Sequence, residues 1–108
     1  MSNSSYSSLL NDKLLKERSR LLILCYLMSN ETNSATFMEL QKALDMTRGN
    51  LSVQIKMLNE SKYVDVKKAF RNNKPQTTIK ISEVGIISLK RYLKDMETII
   101  SNTYDKNR

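Results

Sequence analysis

The residue types that usually carry catalysis are scarce in this chain of 108 residues. Histidine is absent and Cys25 is the single cysteine, which excludes an imidazole base and a disulfide framework. Carboxylates such as Glu17, Asp45 and Asp95 are scattered, and a zinc site would have to consist of carboxylates alone. We therefore expect no catalytic residues, no metal and no cofactor, and we interpret the protein as a non-enzyme.

Basic side chains offer a different chemistry, the binding of anions. The formal net charge of the chain is +7. Between Lys62 and Lys80, six basic residues accompany one acidic residue, Asp65, so this segment alone carries a charge of +5. Such a concentration of charge predicts a polyanionic partner, and nucleic acid is favoured over an anionic membrane surface.

The apolar pattern predicts neither a secretory leader nor a membrane span. Residues 1–8 are rich in serine and asparagine, and the longest apolar run, residues 21–28, is too short to cross a bilayer. We expect a cytoplasmic protein with no membrane partner. Its single domain, residues 1–108, would consist of an N-terminal arm or dimerisation helix (1–15), a core (16–81) and a C-terminal dimerisation helix (82–108).

The elements that position the basic groups can be predicted from periodicity. Leucines at helical spacing predict one long helix or two abutting helices over residues 9–29, followed by a polar loop over residues 30–34. Thr36 and Glu39 form a capping box for a second, short helix. Thr47 is a suitable N-cap for a third helix, joined to the second by a tight turn. This arrangement is a helix-turn-helix.

The third helix and the segment after it could bind DNA together. In this helix, about residues 47–61, Leu51, Ile55 and Leu58 share an apolar face, which leaves the opposite face free for a major groove. Alternating residues then predict a two-stranded β-hairpin with a basic tip at about residues 70–76. The predicted DNA contacts are Thr47, Arg48, Gly49, Asn50, Ser52, Val53, Lys56, Lys68, Arg71 and Lys74.

A last helix begins after Ser82, a good N-cap. Its apolar residues step by three and four, which favours a seam between helices, and apolar residues near the N-terminus offer a matching stripe. We predict that these ends pair between the subunits of a homodimer, although the two ends could instead pack within one chain. The predicted interface residues are Tyr6, Leu9, Leu10, Leu14, Ile86, Leu89, Leu93, Met96 and Ile100.

Two short runs carry a family resemblance. Thr-Arg-Gly-Asn-Leu-Ser at 47–52 and Lys-Pro-Gln-Thr-Thr at 74–78 resemble the start of the recognition helix and the end of the wing in winged-helix transcriptional regulators related to the MarR and ArsR repressors. The likeness extends over about residues 16–93. It implies a mainly α (α+β) winged helix-turn-helix fold and dimers that bind double-stranded DNA, with a recognition helix from each subunit in successive major grooves.

The chain departs from that family pattern at three positions. Val53 stands where relatives commonly carry a basic residue, Met57 is a further apolar residue on the same face, and Lys62 occupies a usual glycine position. Val53 could pack on a thymine methyl group. Weaker or altered DNA recognition is equally compatible with these residues.

Other functions are weighed against DNA binding. Winged helices also serve as protein docking modules, which is the main alternative. Tyr6, Tyr92 and Tyr104, together with the six methionines, could line a cavity for a small-molecule effector at the dimer junction, but ordinary packing explains them better. Cys25 could sense oxidation, although its apolar neighbours favour a packing role.

Overall fold

A computed structural model describes residues 3–105. A short 3₁₀ helix, Asn3–Ser8, and an irregular segment precede the regular elements. These are α1 (Arg18–Ser29), β1 (Ser34–Thr36), α2 (Phe37–Leu44), α3 (Arg48–Glu60), β2 (Val64–Arg71), β3 (Lys74–Ile81) and α4 (Glu83–Tyr104). Helices α1 to α3 and the hairpin of β2 and β3 form a winged helix-turn-helix, and α4 packs against α1. The predicted fold class is confirmed.

Side-chain caps set the starts of three helices, as the sequence predicts. Thr36 and Glu39 form a reciprocal capping box at α2, in which each side chain accepts a hydrogen bond from the other residue's backbone N–H. The Thr47 hydroxyl accepts from the Asn50 N–H at 3.1 Å, and the Ser82 hydroxyl accepts from the Gly85 N–H at 3.0 Å. These caps fix where α2, α3 and α4 begin.

The sheet has one strand more than predicted. Its order is β1-β3-β2 and both pairs are antiparallel. Strand β1 contains three residues and begins at Ser34, the last residue of the predicted loop. A strand this short has no alternating pattern that could reveal it. It fastens the base of the hairpin beside the N-terminus of α2, which leaves the outer half of the hairpin free as a two-stranded wing.

The prediction of a helix over residues 9–17 is wrong, because this arm forms turns and α1 starts only at Arg18. Leu10 has a left-handed backbone (φ 52°), and its N–H donates to the Asp95 carboxylate of α4 at 3.0 Å. The Asp12 carboxylate accepts from the N–H groups of Leu14 and Leu15. Tertiary and side-chain hydrogen bonds thus replace the helical ones, and the leucine spacing reflects packing against the core.

The core lies between α1, α2, α3, the base of the sheet and the first half of α4. Gly85 is needed there, because a Cβ at this position would lie 2.2 Å from the Tyr63 carbonyl oxygen. The absence of a side chain lets α4 approach the junction of α3 and β2. The buried hydrophobic residues are Leu15, Ile23, Leu24, Leu27, Ala35, Leu40, Leu51, Ile55, Leu58, Val64, Ile79, Ile81, Leu89 and Tyr92.

One predicted interface residue belongs to this core. Leu89 is 0% exposed in the single chain, so it packs inside the protomer and has no surface to offer a partner. Apolar residues spaced three and four apart in α4 could pack within the protomer or pair with a second copy, and the sequence does not separate these two roles. Its first half packs against the core, while Ile100 near its end is 55% exposed.

Candidate nucleic-acid interface

Helix α3 presents one face to the core and the opposite face to solvent. Leu51, Ile55 and Leu58 are buried, as predicted. Every predicted DNA contact on α3 and on the hairpin is exposed, so each is available to a ligand. The outward face of α3 includes Val53, with 54% of its surface exposed, and Met57, with 37% exposed. The surface is therefore mixed in polarity, as the helical wheel predicts.

A chain of hydrogen bonds that the sequence analysis missed supports the N-terminal half of α3. The Arg20 guanidinium on α1 donates from Nη1 to Gln54 Oε1 at 2.7 Å. Gln54 donates in turn from Nε2 to Asn50 Oδ1 at 3.0 Å. Asn50 and Gln54 are four residues apart on one helix, which is a sequence signal for contact. Arg20 lies 34 positions from Gln54, and no local pattern indicates that contact.

Arg20 is itself held at two further points. Its Nε donates to the Leu14 carbonyl at 2.8 Å, and its Nη1 lies 3.3 Å from Met57 Sδ. Met57, a departure from the family pattern, thus contacts Arg20 through its sulfur. These bonds join the arm, α1 and α3 at one point.

Arg48, the first residue of α3, contacts α2 as well. Its guanidinium carbon lies 5.5 Å from the centre of the Phe37 ring, within cation–π distance. Both residues lie at the N-terminal ends of their helices. This contact holds the positive charge of Arg48 beside the start of α3, where anions are favoured.

The wing ends in a tight turn of two residues, which is shorter than the predicted tip. Asn72 and Asn73 both have positive φ, 53° and 63°, as a type I′ turn requires. Arg71 and Lys74 flank the turn and are paired across the strands. Directly opposed residues in an antiparallel pair lie on the same face, so these two cations are neighbours at the tip.

The remaining wing lysines lie on different faces. Side chains alternate along β2, so Lys67 shares its face with Arg71, while Lys68 lies on the opposite face with Phe70. That opposite face also carries Val64, which is buried at the base of the wing. The structure therefore separates Lys68 from the pair at the tip, and the basic surface extends around both faces of the wing.

Comparison with known proteins identifies this arrangement of a helix and a wing. A family model described as a winged helix DNA-binding domain matches residues 19–100, from α1 to near the end of α4. The chain belongs to the winged helix DNA-binding domain family. The protein MJ0432 of Methanocaldococcus jannaschii is 32% identical over 66 residues, which are 61% of this chain and 72% of that protein.

Solved structures have the same winged helix fold. A transcriptional regulator homologue from Pyrococcus horikoshii OT3 matches with a TM-score of 0.84 and 27% identity, over 94% of this chain and 98% of that one. Sco3205, a MarR family transcriptional regulator from Streptomyces coelicolor solved in complex with DNA, matches with a TM-score of 0.70 and 16% identity. That match covers 92% of this chain but 64% of Sco3205, less than two thirds of its length. The winged helix described here is MarR-like in fold.

A polar pocket of about 250 Å³ lies between the arm and α4 of the winged helix, beside Tyr63. Burial and a hydrogen bond from the Tyr63 hydroxyl to Asp12 Oδ2, at 2.6 Å, raise the pKa of Tyr63. Of the three tyrosines considered for an effector cavity at a dimer junction, Tyr92 lines this pocket, while Tyr6 and Tyr104 are exposed.

The remaining predictions concern the thiol of Cys25, metal binding and membrane spans. Cys25 is partly buried, and burial raises the pKa of its thiol, which disfavours the thiolate form. Within residues 3–105, no group of three or more acidic or cysteine side chains is arranged to hold a metal ion. Over the same residues, no helix is both long enough and apolar enough to span a membrane.

The predicted dimer residues differ in how far the single chain covers them. Ile86, Leu93 and Met96 are half-buried and pack against the core, as does Leu10. Leu9 and Leu14 are also half-buried, whereas Tyr6 and Ile100 are exposed. Among the predicted dimer residues, the two that remain exposed thus lie near opposite ends of the chain.

Proposed function

We propose that this protein is a transcriptional regulator that binds double-stranded DNA with sequence specificity. Helix α3 enters the major groove, and the wing contacts the DNA backbone or the minor groove. The observation that carries this proposal is the pair of cations at the tip of the wing. Arg71 and Lys74 face each other across the last pair of the ladder, where like charges are unfavourable unless an anion lies between them.

The geometry of α3 agrees with this role. A single helix fits the major groove of B-DNA, and the exposed face of α3 carries groups that can donate to base edges or phosphates. Thr47, Asn50, Ser52 and Lys56 are such groups, and all are exposed. A Cβ at Gly49 would have no other atom within 4 Å, so DNA could approach the backbone closely there.

We further propose that the regulator acts as a homodimer. The Cα radius of gyration is 16.3 Å, and the chain extends over 60 Å along its longest axis. A compact chain of this length has a radius of gyration of about 13 Å. The chain is therefore elongated, and Ile100 and Tyr104 near the end of α4 expose apolar surface that a second copy would cover. Two α3 helices would then meet half-sites about 34 Å apart.

Titration of the protein with labelled duplex DNA at two salt concentrations tests DNA binding. The expected result is an affinity that falls steeply as salt rises, because lysine and arginine contacts release counterions from the phosphates. Selection from a random duplex pool should then give a palindromic motif. Binding of all duplexes with equal affinity would contradict sequence specificity.

A protein docking module is the second candidate, and the exposed Val53 and Met57 favour it, since apolar side chains on α3 suit a protein surface. Absence of duplex binding, or binding that is insensitive to salt, would support docking over DNA recognition.

A further inference from the structure

The direction of the hydrogen bonds that end at Asn50 has a consequence for DNA recognition. A guanidinium group can only donate, so the atom of Gln54 that faces Arg20 must be the carbonyl oxygen Oε1. The amino group of Gln54 is then left to donate to Asn50, whose oxygen Oδ1 accepts. Arg20 thus orients the side-chain amide of Gln54, and Gln54 orients the side-chain amide of Asn50.

Asn50 ends this chain with its amino group, which has two N–H donors. An isolated asparagine can turn its amide over and offer either an oxygen or an amino group. Here the flip would place two amino groups against each other, Nε2 of Gln54 and Nδ2 of Asn50, and break a 3.0 Å hydrogen bond. Asn50 is exposed on the outward side of α3, so its free group is the amino group.

We propose that Arg20 is a positioning residue that acts through Gln54 to make Asn50 a hydrogen-bond donor toward DNA. Asn50 then contacts an acceptor: the O6 and N7 edge of a guanine, or a phosphate oxygen. The bidentate contact of asparagine with adenine needs the oxygen as an acceptor, and this oxygen is directed at the amino group of Gln54. The proposal rests on the proposed function, because it assigns a contact within the same DNA-binding surface.

Replacement of Gln54 by glutamate tests the donor-to-acceptor direction of these hydrogen bonds. In the Gln54→Glu variant the carboxylate still accepts from Arg20, but it has no N–H to offer Asn50. Asn50 must therefore turn its amino group inward and its oxygen outward, which converts a donor into an acceptor. Asn59→Asp is the matched control, because it adds the same negative charge to an exposed position of α3 outside the chain of hydrogen bonds.

The measurements are selection from a random duplex pool and dissociation constants for the selected duplexes. If Asn50 contacts a base, Gln54→Glu should lower the preference for guanine at one position about fivefold or more, while Asn59→Asp leaves every preference unchanged. If Asn50 contacts phosphate, Gln54→Glu should weaken all duplexes alike and more than Asn59→Asp does. That excess should disappear when Asn50 is replaced by alanine.

An equal loss from Gln54→Glu with and without the Asn50 side chain, and with no change of base preference, would overturn the proposal. A readout on the free protein separates this failure from that of the proposed function. In NMR spectra without DNA, Arg20→Met should shift the side-chain amide signals of both Gln54 and Asn50, and Asn59→Asp should not. Unchanged amide signals in Arg20→Met would refute the hydrogen-bonded link from Arg20 through Gln54 to Asn50. Failure of the wild-type protein to bind duplex DNA would instead refute the proposed function.

Discussion

The two glycines of the chain have different roles at the scale of single residues. Gly85→Ala should lower the free energy of unfolding by more than about 2 kcal/mol, because the new Cβ would collide with the Tyr63 carbonyl oxygen at 2.2 Å. Gly49→Ala meets nothing within 4 Å and should leave stability unchanged or raise it, since alanine favours helix by up to about 1 kcal/mol. Chemical denaturation of both variants measures the difference. An unaltered Gly85→Ala protein would contradict the close approach of α4.

The backbone at Lys62 has the conformation that favours glycine, the residue that the family resemblance implies at this position. Its φ of 66° lies in the left-handed region, where a side chain costs about 1 kcal/mol or more. Lys62→Gly relieves this strain, but glycine also gives the unfolded chain greater freedom. The net expected gain in the free energy of unfolding is about 0.5 to 1 kcal/mol. Thermal unfolding should show a rise of a few degrees. Lys62→Ala keeps the Cβ and serves as the control, so an equal gain in that variant would rule out backbone strain as the cause.

Residues that act locally could be predicted from the sequence, and residues that act through distant contacts could not. Thr36, Thr47 and Ser82 are caps because their oxygens reach the backbone three residues on, which spacing alone reveals. The link from Arg20 to Gln54 exists only after α1 and α3 pack together. The DNA contacts remain a prediction, for which the structure provides exposure and position.

At the scale of elements, the arm before α1 shows how tertiary contacts override helical spacing. The Asp12 carboxylate accepts hydrogen bonds from Leu14, Leu15 and the Tyr63 hydroxyl, and thereby ties the arm to the junction of α3 and β2. Periodicity could not indicate this, because the bonds depend on where Tyr63 lies in the fold. The other helices followed their periodicity because each packs an apolar stripe onto one core.

Removal of that carboxylate tests the role of the arm. Asp12→Ala removes the acceptor of three hydrogen bonds and should destabilise the protein by about 2 to 3 kcal/mol. Glu31→Ala, in the exposed loop after α1, is the control and should have little effect. Denaturation midpoints compare the two variants, and equal midpoints would show that the arm contributes nothing to stability.

The two opposed cations of the wing should repel each other in the free protein, which lowers its stability slightly, and should strengthen the binding of DNA. Arg71→Ala and Lys74→Ala each remove one of two opposed cations, so neither should destabilise the free protein. Each should reduce the slope of log affinity against log salt by about 0.9, the value of one phosphate contact. Lys90→Ala, on the exposed side of α4, is the control for net charge. If Lys90→Ala reduces the slope equally, the wing has no special contact with DNA.

At the scale of the whole molecule, the elongated shape leaves the end of α4 to be explained. Ile100, near the end of α4, is 55% exposed, whereas Leu89 and Tyr92 earlier in the same helix are buried in the core. Met96 is half-buried against the core, so a charge there would disturb the single chain as well as a dimer. Ile100→Asp is therefore the sharper test of the homodimer.

Ile100→Asp should convert dimers to monomers in sedimentation at micromolar concentrations, because a carboxylate would be buried without a partner in the interface. Met38→Asp is the matched control, since Met38 is 65% exposed on α2, away from the chain ends. The monomeric variant should keep its affinity for a single half-site and lose the added affinity for a palindrome, since two linked recognition helices bind with an effective concentration that one helix lacks. A wild-type protein that sediments as a monomer would contradict the homodimer.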